Sequence, residues 1–413
     1  MDNWMWTGNK DGLLGGFLRA VLAAVLMTML AAPANAGSRE QAKRIHERIA
    51  GVPPSETVLG QMQNAIDGTE PSCSQYGSVT GPQCAAYIAM ENHSFYNVTL
   101  KNFAAPWTNR ERSVFVPLND YIATVIGMIR DDRPFNTLLS DDITYVGIPG
   151  TVNAAPSAGN NDHYEQLEAG NHNLKDVLQW DLQSNVPGSV PGAATAGVMT
   201  SRAAAEAFFI AGTNRAMFRF TMVNHFCNDM EQLHDPNLSP DRIRQDVSRS
   251  PGGDSRLFLN NCVGCHTGMD PMAQAFAYYN YVESDPPGRG SIEFTNGVVQ
   301  PKYFNNDLNF PQGYRTPDDH WTNYWRNGQN RYLGFYGPGN GDGDGAKSLG
   351  VELGNSDAFS SCQVKKVFQA VCLREPETAS DHNRVDQIVA TFQGTGYRMK
   401  QVFADTAEYC MGQ

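Results

Sequence analysis

Apolar positions recur at helical spacing along most of this chain. Between Ser38 and Ile49, the positions Ala42, Ile45 and Ile49 stand among Lys, Arg and Glu, the stripe of an amphipathic helix. Pro53-Pro54 interrupts it, and Ser55 with Glu56 starts a second helix. Asn119 to Asp131 carries Ile122, Ile126 and Ile129 near helical spacing, and Pro134 breaks the run. Ile143 to Ile148 is the best short strand. No series of strands follows at regular spacing, which argues against an all-β fold.

Two further helices are expected at Ser201–Ala211 and Asn214–Glu231, with Thr213 or Asn214 capping the second. In that helix Ala216, Phe220, Val223, Cys227 and Met230 form a buried stripe by spacing. Phe218, Met222 and His225 fall opposite, on a face apolar enough that burial of the helix on both sides is expected. The C-terminus returns to helix through Val364, Val367, Phe368 and Val371, then Val385, Ile388, Val389 and Phe392, then Met399, Val402, Phe403 and Thr406. The fold class expected is mainly α. A mostly helical N-terminal domain (37–150) is followed by a linker or lid (151–196) rich in Gly, Pro, Asn and Ala, with a short helix expected within it at Leu174–Leu182. A C-terminal helical domain (197–413) with long irregular loops, chiefly 285–345, completes the chain.

The first 36 residues read as a signal peptide. Lys10 and Arg19 precede an apolar run, Ala20 to Ala32, and Ala34-Asn35-Ala36 forms a cleavage site. That run of 13 residues is too short to span about 30 Å of hydrocarbon, and no later stretch is longer. A periplasmic or secreted protein without a transmembrane segment is expected. The net charge of −12 argues against nucleic acid or an anionic membrane as partner.

Against that background one motif carries chemistry. Cys262-Val263-Gly264-Cys265-His266 is a C-x-x-C-H sequence, the pattern of covalent c-type haem attachment. Two thiols at this spacing can add to the two vinyl groups of one haem, and the next residue is a histidine that can ligate its iron. A redox dithiol would need a β-α-β setting that is not visible here, and a zinc site would need a second ligand pair nearby. Removing Cys262 and Cys265 from the eight cysteines leaves an even number in an exported chain, which implies disulfides. Cys73 and Cys84 bracket a short loop and form the clearest pair. Cys362 and Cys372 lie ten residues apart on one helix, about 15 Å, too far to bond to each other. Each therefore pairs with Cys227 or Cys410, in an order the sequence leaves open.

Residues 262–281, CVGCHTGMDPMAQAFAYYNY, resemble the haem segment of planctomycete-type cytochrome c domain proteins, an uncharacterised exported family with a C-x-x-C-H-x-x-x-D-P-x-G-F-A pattern. Asp270-Pro271 and Ala275-Phe276 match, while Ala273 stands near the usual Gly. Residues 211–227 are similar to the helix preceding that segment, and Ser356 to Cys410, with its Gly396-Tyr397-Arg398, to the family's C-terminal helical module. The resemblance covers roughly 195–413, leaving the middle loop unmatched. It implies a mostly helical, exported, cytochrome c-like protein and supplies no reaction.

The sixth iron position is open in the sequence. A class I cytochrome places a distal Met some tens of residues after the haem His, but no Met occurs between 273 and 398. Met269 and Met272 follow His266 too closely to reach the other haem face. Upstream candidates are Met222 and His225; downstream ones are His320, His382, Met399 and Met411. The expected function is single-electron transfer by one haem c to a redox partner that the sequence does not identify. The alternatives are a peroxidase- or oxygenase-like haem enzyme with an open distal site, and an exported binding or structural protein with an ancillary haem. Asp270-Pro271 is expected to shape the turn after the proximal helix, and Tyr278, Tyr279 and Tyr281 to fill core or wall the haem. Asn340 to Gly345 reads as a Gly-rich turn, with a calcium loop as the alternative, since Val351 stands where a loop carboxylate is needed and Glu352 comes one residue late.

Overall fold

Helix starts follow the caps written in the sequence. A computed structural model describes residues 36–412 apart from 211, 287, 309 and 310, so the expected leader ahead of Ala36 lies outside the described residues. Helix α1 (Ser38–Ala50) buries Ala42, Ile45 and Ile49. In α2 (Glu56–Ile66) the Ser55 side chain accepts from the Val58 amide, and in α3 (Gly81–Met90) Thr80 and Gln83 form a reciprocal capping box. Asn119 caps α4 (Asp120–Arg130), which is buried from Tyr121 to Ile129. The chain is mainly α-helical, and its sheets are small two-stranded antiparallel pairs.

The 151–196 segment is ordered rather than bare. It holds α5 (Asp162–Ala169) and the strand β2 (Leu178–Asp181), which pairs antiparallel with β1 (Thr144–Gly147), Thr144 opposite Asp181 and Gly147 opposite Leu178. Leu167, Leu178 and Ala196 enter the core. The Gly and Pro residues here mark turns between short elements, not the loss of them.

Helix α6 (Arg202–Phe208) starts at its Ser201 cap, and α7 (Arg215–Phe226) ends earlier than its periodicity suggests. Cys227 closes α7 in a left-handed conformation, φ 55°, and is bonded to Cys362. The face of α7 that is buried carries Met217, Phe218, Thr221, Met222, Asn224, His225 and Phe226. Ala216, Phe220 and Val223, the stripe expected inside, are only half-buried. Burial falls on the more polar face because its polar groups find partners. The Asn224 amide donates to the Trp107 carbonyl (3.0 Å), and His225 bonds to Tyr121 and Gln363. Asn214 stands at the cap position without capping; its amide instead donates to the carbonyls of Phe276 (2.6 Å) and Tyr279 (2.9 Å).

Downstream come α8 (Val263–Ala273), the hairpin β3 (Tyr279–Ser284) and β4 (Arg289–Phe294), and the short pair β5 (His320–Thr322) and β6 (Asp342–Asp344). Helices α9 (Gly345–Gly354), α10 (Asp357–Cys372), α11 (Ala379–Gly394) and α12 (Met399–Cys410) complete the chain. One hydrophobic core runs from Ala42 to Ala407. In it α12 lies on α3, where the Gln83 amide donates to Asp405 (2.8 Å), and Phe403 meets Phe95, just beyond α3, edge-on at 5.2 Å. The regions 37–150 and 197–413 therefore share one apolar interior.

Three disulfides staple this interior: Cys73–Cys84, Cys227–Cys362 and Cys372–Cys410. The first is the pair that the loop composition points to, and the others settle the open order. Replacing Cys372 and Cys410 together by Ser releases a 38-residue separation and is expected to cost about 2–4 kcal/mol. Urea unfolding checks this, and an unchanged midpoint would show that the staple is idle. Burial holds the His225 pKa well below its ordinary 6.5, helped by Lys366, and burial likewise lowers His46 and His163. Below about pH 6.5 the unfolded chain takes up protons that the folded chain refuses, so stability falls with falling pH. His225→Gln is expected to flatten that slope between pH 7 and 5 in thermal melts; an unchanged slope would assign it elsewhere.

Candidate haem-attachment site

The site begins with a helix whose back is closed and whose front is open. Asp254 accepts from the Arg256 amide and starts a helical turn, which widens over Phe258–Cys262 and runs into α8. Cys262 stands at the N-cap position of α8. Cys265 is three residues on and His266 four, so all three share one helix face. All three are partly exposed, whereas Val263, Gly264, Thr267 and Gly268 behind them are buried. Two glycines make that backing possible. A Cβ at Gly264 would run into the His234 ring, and one at Gly268 into the Trp325 indole. Ile243, Phe258 and Val263 form a small apolar cluster apart from the main core, with Val247 and Cys262 packed against it.

Among the described residues Cys262 and Cys265 are the free cysteines, the others being paired. Cys265 lies 3.4 Å from the Met230 carbonyl. Burial, with the charges of Glu231, Asp229 and Cys262, pushes its thiol pKa up. A dithiol built for exchange needs a thiolate, and hence a lowered pKa, so this environment disfavours that chemistry. No group of three or more His, Cys, Asp or Glu side chains among the described residues is placed to hold a metal ion, so a zinc centre lacks its second ligand pair.

His266 is held from behind by a carboxylate. Its Nδ1 lies 3.0 Å from Asp270 Oδ1, one helical turn on. Asp270 is fully buried and also receives Arg215 through two bonds, Nε to Oδ1 at 2.6 Å and Nη2 to Oδ2 at 2.9 Å. Arg215 in turn grips Asp246 at 2.6 and 2.9 Å, and the Arg244 amide donates to Asp270 Oδ2 (3.2 Å). Burial alone would raise the Asp270 pKa, but Arg215 and His266 outweigh it and hold the carboxyl well below its ordinary range. An ionised carboxylate can only accept, so Nδ1 carries a proton, and in the neutral ring the lone pair is on Nε2.

Asp270-Pro271 therefore does not form the turn after the helix. Both residues lie inside α8, and Asp270 is a partner of the histidine. The spacing His266-x-x-x-Asp270 carries that signal, because residues four apart on a helix are neighbours. The roles of Arg215, Asp246, His234 and Trp325 are set by tertiary contacts and have no local signature.

Met222 and His225 both lie in the core on the inner face of α7. His225 Nε2 bonds to the Tyr121 hydroxyl (2.7 Å) and Nδ1 to the Gln363 amide (3.3 Å), so neither nitrogen is spare. His320 is half-exposed and bound to Asp344 (2.8 Å). His382 is exposed and Met399 buried in the core, while Met411 packs at the core's edge. The Tyr279 hydroxyl donates to the Ala194 carbonyl (2.5 Å), and Tyr281 approaches Arg202 and Glu206, which makes both part of the protein interior. Within Asn340–Gly345, Asp342–Asp344 pairs as β6 with β5, Asp344 is bound to His320, and Glu352 is turned to Arg326 (2.6 Å).

The donor set thus fits a haem c: two free thiols three residues apart on an open helix face, and a histidine with Nδ1 fixed and Nε2 available. Comparison with known proteins gives no match to any family model, curated protein or solved structure. Gly268→Ala leaves the motif intact but forces α8 from Trp325, and is expected to cost about 1–3 kcal/mol. A thermal melt equal to wild type would show that the close approach is not needed.

Proposed function

We propose that this chain is an exported mono-haem c-type cytochrome that carries single electrons, related to the planctomycete-type cytochrome c domain proteins. The observation that carries the reading is the sorting of the cysteines. The disulfides take every described cysteine except Cys262 and Cys265, and those two flank the open face beside His266. Cys262 and Cys265 would hold the porphyrin through thioether bonds, His266 would supply the iron ligand, and Asp270 fixes the imidazole ring. A haem c bound there supplies a one-electron couple. The helix face that bears the tethers is partly exposed, which leaves an approach for a redox partner. Three disulfides favour an oxidising compartment. No described helix is long and apolar enough to cross a membrane.

A second reading, a haem enzyme with an open iron position, is favoured by one observation. Both ring nitrogens of His225 are engaged and Met222 is sealed in the core, so neither upstream candidate is free as a sixth ligand. Expression in a host that matures c-type cytochromes is expected to give a red protein with a c-type pyridine haemochrome, and Cys262→Ala with Cys265→Ala is expected to abolish covalent haem. A colourless wild-type protein from that host would sink both readings. Prompt binding of CO by the reduced protein would decide for the enzyme, and indifference to CO and cyanide for electron transfer.

A further inference from the structure

We propose that Asp270 is a positioning residue that sets the reduction potential of an iron held by His266, lowering it by keeping an anionic partner on the ring. This rests on the haem reading above. The His266 ring could have been oriented by a neutral acceptor, such as a main-chain carbonyl. It is met instead by a buried carboxylate 3.0 Å from Nδ1. An anion there draws the Nδ1 proton toward itself and raises electron density at Nε2. A more basic ligand stabilises the ferric state more than the ferrous one, because the ferric ion carries the greater charge. Burial strengthens the effect, since the Asp270 side chain is shielded from bulk solvent that would screen its charge.

The surroundings keep that carboxylate charged without cancelling it. Among the described residues Arg215 is the guanidinium that hydrogen-bonds to it, and Arg215 is divided between Asp270 and Asp246. The nearby guanidinium groups of Arg244 and Arg249 are turned elsewhere. Arg244 stacks on Tyr303 at 4.5 Å and donates to the Thr213 and Asp270 main-chain carbonyls. Arg249 stacks on Phe258 at 4.8 Å and donates to the Val247 and Ile243 carbonyls. Asp246 thus acts at one remove: by occupying half of Arg215, it leaves Asp270 more of its charge for the histidine.

The test is the midpoint potential of the holoprotein in three variants, each first checked for unchanged visible bands. Asp270→Asn keeps the acceptor shape and removes the charge. The ferric preference is expected to fall about tenfold, a rise of about 59 mV for a one-electron couple. Asp246→Asn leaves Asp270 in place, hands Arg215 wholly to it, and is expected to raise the potential by a smaller amount. It also keeps the idea testable should Asp270→Asn fail to fold. Asp229→Asn removes an equal charge near the Cys265 sulfur without touching His266, and is expected to shift the potential well below the change in Asp270→Asn. Haem c present with no rise in Asp270→Asn, or in Asp246→Asn where only that variant folds, would overturn the inference. So would an Asp229→Asn shift as large as that of Asp270→Asn. A wild-type protein without covalent haem would instead overturn the reading on which the inference rests.

Discussion

The Asp270 carboxylate, buried inside helix α8, is the contact on which the site depends. It holds the His266 ring from one side and is itself held by Arg215 from α7 and by the Arg244 amide from the following loop. A buried charge is tolerated only where it is paired and hydrogen-bonded, so the histidine, the arginine and the carboxylate are mutually necessary. The same contact ties α8 to α7 across the sequence. It gives the five-residue C-x-x-C-H motif a fixed geometry.

The rest of the fold serves to hold that helix still with one face open. Behind it, Gly264 and Gly268 admit His234 and Trp325. Trp325 meets Phe218 of α7 at 5.8 Å, so the backing of α8 is continuous with the main core. That core reaches from Ala42 to Ala407, and the Cys227–Cys362 disulfide pins the end of α7 to α10. Displacing α8 would therefore disturb packing throughout the molecule. The open face costs little to maintain because its residues are only partly exposed.

Much of this was legible in the residues. Caps and stripes located α1, α2, α4 and the C-terminal helices, and the loop composition located the Cys73–Cys84 pair. The C-x-x-C-H motif stood out by itself. Two features were hidden for physical reasons. Periodicity offered both faces of α7 as buried, but its regular stripe of Ala216, Phe220 and Val223 is only half-buried, and full burial went to the face with Asn224 and His225, whose polar groups are satisfied by residues distant in sequence. The Gly- and Pro-rich 151–196 segment looked like a linker, yet its short elements pack because β1 offers an edge to β2. Asp270 lay between these cases: its spacing from His266 was visible, and its charge partners were not.

The central claim is that Cys262 and Cys265 carry one covalent haem. The most direct measurement is the intact mass of the denatured protein, taken after alkylation without reduction, from a host that matures c-type cytochromes. The account predicts the mass of the chain plus one haem, with no alkylated cysteine. The mass of the bare chain, with both Cys262 and Cys265 alkylated, would contradict it.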